Sequence, residues 1–273
     1  MMHLRPSASS TWTKCAASVR FGLNSPNQPE TDAAREGTCA AWVADMVLSG
    51  NAILAEDLLG AVHENGWVVD MEMCDHIQGY LNTVQQRGGK IESEKFVRLC
   101  EFIGGTLDSS AVVLDDTLYI DDLKYGYGVV EAHHNPQLTM GIYQPRAFHH
   151  EGIYRTWVAT PEELRAQVER IIQAGLKCQE PDSVATPGDH CKYCPARLSC
   201  VALATTLYNA FDVVESPRQS QLPNDQVAAE MDFLDRLDKI VSARKTAVLA
   251  EAEVLMRNGA YFAGWGLTQG AGR

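Results

Sequence analysis

The sequence predicts an α/β fold, and three observations carry that prediction. Residues 94–124 hold three short runs rich in β-branched and aromatic residues, separated by turn signals. Helical periodicity flanks them, over 36–48 and 71–87 before and from Thr160 to about Cys178 after. A long helical pattern then runs from Asn224 to about Arg257. At 273 residues and 45% hydrophobic, the chain is long enough to bury a sizeable core.

Taken in order, Ser7 or Ser9 is placed to cap a helix over TWTKCAASVRF. The 36–48 helix sets Val43, Met46 and Val47 on one face, as core packing requires. The strands are Lys95 to Leu99, Thr106 to Leu114 and Thr117 to Leu123, with Asp115-Asp116 turning between the last two. Gly152 to Ala159 reads as a further strand. Thr160-Pro-Glu-Glu163 is a capping box with proline at the first helical position, so it opens the next helix. Ser216 to Pro223 is polar, carries two prolines and reads as a linker, which divides the chain into 1–215 and 216–273. Beyond it Val227, Met231, Leu234, Val241, Val248 and Leu255 form the apolar face of the long helix, and Gly259 stops it. Arg236, Lys239, Arg244 and Lys245 concentrate on that helix, which makes it a candidate oligomer or DNA-channel helix. The tail GWGLTQGAGR is strand-like and could pair with a partner.

Net charge is −12 and pI about 5.1, which argues against coating nucleic acid through bulk positive charge. No apolar run approaches the roughly 20 residues of a membrane span, and MMHLRPSASSTWTKCAAS lacks the apolar core of a secretory signal. A cytoplasmic location is expected. Eight cysteines there are better read as metal ligands plus buried apolar thiols than as disulfides.

Three of them fall in GDHCKYCPARLSC, where Cys191, Cys194 and Cys200 have C-x2-C-x5-C spacing. Such a run brings several thiolates to one metal centre but is one ligand short of four, and Cys15 is the candidate fourth. Spacing leaves zinc and iron–sulfur both open, and His190 could serve zinc. Cys39, Cys74, Cys100 and Cys178 have no ligand spacing and are assigned to packing. On the strands, Asp108 lies early in the second run, and Asp122 and Lys124 share one face of the third. Two carboxylates and an ammonium at one sheet end can hold Mg²⁺ or Mn²⁺ and assist phosphodiester hydrolysis. Asp115, Asp116 and Asp121 read instead as a solvated strand end.

In order, SASSTWTKCAAS, AAREGT, GGTLD, DLKYGYGV, NPQL and HCKYCPARLSC resemble the iron–sulfur branch of the PD-(D/E)XK nucleases over roughly residues 7–205. That branch includes RecB-like and AddB-like domains and CRISPR-associated exonucleases, and its phage and prophage family is the nearest in motif order. The resemblance implies a restriction-endonuclease-like αβββαβ core, a mixed central sheet flanked by helices. It further implies one [4Fe–4S] cluster stapling Cys15 to Cys191, Cys194 and Cys200. Asp108 and Asp122 would bind the catalytic metal with the Leu123 carbonyl, Lys124 would be the catalytic lysine, and Gln137 the active-site glutamine on the following helix. The implied activity is exonucleolytic digestion of DNA ends during phage recombination, beside a single-strand annealing protein in a bacterial host. A homo-oligomer is also expected.

Two positions depart from the pattern. EGTCAAW lacks the histidine that usually follows, so Glu36 or Glu94 would have to add a carboxylate. Gly141 stands where a tyrosine is usual, with Tyr143 two residues later. These departures keep a weak or inactive DNA-binding adaptor as the alternative. Expected nucleic-acid contacts are Lys14, Arg20, Arg35, Arg146, Arg155, Lys192 and Arg197, with Tyr125, Tyr127 and Trp12 stacking on bases.

Overall fold

Two side-chain caps fix the helices that cover the sheet. Thr31 Oγ1 accepts the Ala34 N–H (3.2 Å) at the start of one helix, and Asp70 accepts the Met73 N–H (2.8 Å) at the start of another. In this computed structural model the described residues are 2–25, 30–113, 117–130, 141–215 and 224–268. The helices are α1 (Ser9–Trp12), α2 (Ala17–Leu23), α3 (Asp32–Leu48), α4 (Met71–Gln85), α5 (Pro161–Gln179), α6 (Val201–Glu215) and α7 (Asn224–Arg257). The strands are β1 (Lys90–Cys100), β2 (Ile103–Val113), β3 (Thr117–Leu123), β4 (Gly141–Tyr143) and β5 (Tyr154–Thr156). The fold is α/β.

The chain divides into two compact units. One takes in His3–Ser9 and Gln28–Gln173, the other Ser10–Asn27 and Ala174–Arg273.

The first unit is built on a mixed five-stranded sheet in the order β1-β2-β3-β4-β5. All its pairs are antiparallel except β3–β4, which is parallel. The core lies between one face of this sheet and helices α3 and α4. Met73, Ile77, Tyr80, Leu81 and Val84 recur at helical spacing on α4 and are fully buried, against Cys39, Ala40, Val43 and Val47 of α3. Side chains of that size contribute about 1.5–3 kcal/mol each when buried. Met46, read as part of the same face, is only partly buried. The helix expected over 71–87 ends at Gln85, and Gly88 and Gly89 follow with left-handed φ of 73° and 75°.

The β1–β2 hairpin is longer than the sequence suggested, with eleven residues in each strand. Conversely, the strand expected over Gly152 to Ala159 shortens to three residues, and β4 was not foreseen. The Asp115-Asp116 turn, Gln137 and the 216–223 linker lie outside the described residues.

In the second unit the helix expected over TWTKCAASVRF is two helices, and Cys15 sits in the break between them. The long helix α7 packs on the turn Asp189–Tyr193, and Cys191, Leu203, Ile240 and Ala243 form the local core. The buried face of α7 is therefore Ile240, Ala243 and Ala247, where alanines allow close approach. Val227, Met231, Leu234, Val241, Val248 and Leu255, the face expected to pack, are exposed. Arg244 Nη1 donates to the carbonyls of Arg197 (3.0 Å) and Leu198, and Lys239 pairs with Asp235 (2.6 Å). Among the described residues no helix is long and apolar enough to cross a membrane.

Candidate functional site

Strand register gathers the acidic cluster. Ser109 pairs with Asp121 and Ser110 with Ile120, so Asp108 continues the ladder opposite Asp122. Asp122 and Lys124 lie on the same face of β3, and the Lys124 ammonium sits 2.7 Å from Asp122 Oδ2. That oxygen is otherwise buried and is not aligned for a hydrogen bond. Asp108 Oδ2 accepts the Leu123 N–H at 2.8 Å, which ties the two strand ends together. Burial, with the Asp122 charge second, pushes the Asp108 carboxyl up to about 7. Burial also raises Asp122, against the pull of Lys124.

Glu94 stands opposite Asp108 on the other side, between the pairs Ser93–Ser109 and Lys95–Leu107. Its φ of 46° is left-handed, in the middle of a strand where any residue with a Cβ is strained. Glu94 is exposed, and its charge contributes to the rise at Asp108. Glu36 is engaged elsewhere: its Oε2 lies 2.6 Å from Arg146 Nη1.

Most of the other expected contacts are similarly committed, whereas Lys192 and Tyr127 are exposed. Arg146 has only 9% of its side chain exposed, lies over the rings of Tyr125 (4.8 Å) and Tyr127 (4.1 Å), and donates to the Tyr127 hydroxyl. Tyr125 is buried, and its hydroxyl meets His76 Nδ1 at 3.2 Å. Neither faces outward to meet a base or phosphate. Arg35 donates from Nε and Nη2 to the Asn65 carbonyl (3.0 and 2.9 Å), which fastens a turn. Lys14 pairs with Asp189 (3.1 Å), and Arg20 donates to the Ser183 carbonyl (2.9 Å). Arg155 is buried, and Trp12 is buried as well.

Two buried networks that sequence reading missed hold this end of the sheet. Asp121 is not a solvated strand end. It is buried, and Arg87 grips both its oxygens at 2.9 Å while the Tyr154 hydroxyl donates at 2.6 Å. A Cβ on Gly141 would meet Asp121 Oδ1 and the Tyr154 hydroxyl at 2.4 Å, so only glycine fits there. The second network centres on Gln144, which is fully buried. It donates from Nε2 to the carbonyls of Gly126 (3.0 Å) and Gly128 (2.7 Å), and accepts from Val130 N–H (3.1 Å) and Arg155 (2.7 Å). The segment directly after Lys124 is thereby pinned. Strand alternation already places Asp121 on the opposite face from Asp122; no signal marked Gln144.

In the second unit, Cys15, Cys191, Cys194 and Cys200 all line one cavity, with about 20 Å³ open to the centres of water molecules. Phe21, Pro187 and Leu203 supply apolar wall. Cys15 Sγ accepts the Thr186 N–H and Cys191 Sγ the Gly188 N–H, both at 3.4 Å. Burial pushes Cys194 up to about 11 and raises Cys191, and the neighbouring cysteines add to both rises. Among the described residues, no three His, Cys, Asp or Glu side chains are gathered tightly enough to hold a single metal ion. Cys39, Cys74 and Cys178 are buried thiols, and Cys100 is half-buried.

Fold and sites together define an α/β protein with a carboxylate–lysine cluster on its sheet and a four-cysteine cavity. A family model described as a protein of unknown function (DUF2800) matches residues 2–140 and 138–273. The chain belongs to that family.

Proposed function

We propose that the chain is a metal-dependent deoxyribonuclease with a PD-(D/E)XK core that digests DNA from duplex ends. The observation that carries the reading is the meeting of Asp108, Asp122 and Lys124 at one end of β2 and β3. Two half-buried carboxylates, both with raised proton affinity and with a single ammonium beside Asp122, suit a hard divalent cation. Mg²⁺ or Mn²⁺ there would supply Lewis acidity towards a phosphodiester. Asp108 and Asp122 would hold the cation, and the Leu123 N–H fixes the orientation of Asp108. On substrate binding Lys124 exchanges its contact with Asp122 for a phosphate oxygen or the attacking water. Gln144 and Arg155 keep the segment after Lys124 in place while this happens. The cysteine cavity fits a [4Fe–4S] cluster. Four thiols line it beside the apolar Phe21, Pro187 and Leu203, and N–H groups point at two of the sulfurs.

A second reading, a weak or inactive DNA-binding adaptor, draws on Glu36 being spent on Arg146 rather than on the acidic cluster. A labelled linear duplex separates the two. The nuclease reading expects digestion with Mg²⁺ or Mn²⁺, none in EDTA, and none by Asp108→Ala. Duplex binding with no cleavage under either metal would favour the adaptor.

A further inference from the structure

We propose that His190 is a hydrogen-bond donor to the metal centre in the cysteine cavity and that it sets the reduction potential of that centre without ligating it. The inference rests on the cluster reading above. Only 5% of the His190 side chain is exposed, the residue lines the cavity, and neither ring nitrogen makes a well-aligned hydrogen bond, although the Thr186 backbone and Asp189 lie close by. A buried imidazole leaves both nitrogens unsatisfied only at a cost, unless something absent from the protein chain accepts from it. Its nearest charged neighbour does not fill that role. Asp189 Oδ1 lies 3.6 Å from Nδ1, beyond hydrogen-bonding range, and already accepts the His190 backbone N–H (2.9 Å) and the Lys14 ammonium (3.2 Å).

The local backbone holds the ring there. His190 sits in the tight turn Asp189–Tyr193 directly before Cys191, and a Cβ on Gly188 would come within 2.9 Å of its Cε1. Gly188 therefore leaves room for the ring, while its own N–H goes to Cys191 Sγ. Either tautomer of a neutral imidazole carries one N–H to donate. A donor aimed at cluster sulfur stabilises the reduced, more negative state, so it raises the potential. Four cysteines already complete the ligand set, which leaves the imidazole the outer role.

The test uses the full chain purified without oxygen. Iron and sulfide are assayed, and the reduction potential is measured for wild type, His190→Phe and His190→Gln. The expected result is four irons in all three proteins, a lower potential in His190→Phe, and a smaller drop in His190→Gln, whose amide can still donate. Unchanged potentials in both variants, at full iron content, would overturn the donor role and leave the cluster standing. Loss of iron in His190→Gln would make His190 a ligand and also overturn it. Wild type without iron, or with zinc, would remove the cluster reading itself.

Discussion

Replacing Asp108 with Asn should stabilise the metal-free protein, and by more as the pH rises. The unfolded chain gives up the Asp108 proton near the ordinary value of 3.8, whereas the folded protein keeps it up to about 7. Because the folded value is raised, the contribution of this group is complete below 3.8 and is lost as pH climbs through about 7. At 1.36 kcal/mol per unit, the part lost between pH 5 and pH 8 is about 2–3 kcal/mol. Asparagine has no charge to desolvate, and its side-chain oxygen can still accept the Leu123 N–H. In EDTA, the melting temperature of Asp108→Asn should exceed that of wild type by about 4–8 °C more at pH 8 than at pH 5. Equal shifts at the two pH values would refute the reasoning, as would a melting temperature below wild type at pH 8. The same substitution removes a ligand, so Mn²⁺ should raise the melting temperature of wild type but not of the variant.

Two other substitutions probe the supports of the sites. Arg87→Ala leaves the buried Asp121 carboxyl without its cation, so it should cost about 3–5 kcal/mol in denaturant unfolding; a loss under about 1 kcal/mol would show that the ion pair holds nothing. Cys15→Ala should purify with little iron and melt below wild type. A fully loaded Cys15→Ala protein would remove Cys15 from the ligand set.

What the sequence disclosed follows from how local each signal is. The β2 and β3 strands and the capping box at Thr160 are each written within a dozen residues, and all stand in the structure. The convergence of Cys15 with Cys191, Cys194 and Cys200 is long-range: the missing fourth ligand makes Cys15 a candidate, and the resemblance adds that all four share one cluster. β4 is only Gly141–Tyr143, too short for alternation to register, and its worth comes from pairing with β3. Helix α6 was missed because VALATTLYNAF follows directly on the cysteine turn without a side-chain cap signal. On α7 the six apolar residues at wide spacing drew attention, yet the packed face is the less conspicuous Ile240, Ala243 and Ala247. For the site, Asp108, Asp122 and Lys124 were readable from strand alternation. The commitments of Arg146, Arg35 and Arg20 were not, because an arginine that grips a carbonyl and one that grips a phosphate look alike in sequence.

The central claim is that the acidic sheet end performs chemistry, and Lys124→Ala tests it most directly. This residue lies beside Asp122 with 30% of its side chain exposed, so its loss should leave the fold intact. Single-turnover digestion of a linear duplex with Mn²⁺ should slow by about a hundredfold or more, with duplex affinity within a few-fold of wild type. Digestion at the wild-type rate by Lys124→Ala would contradict the claim.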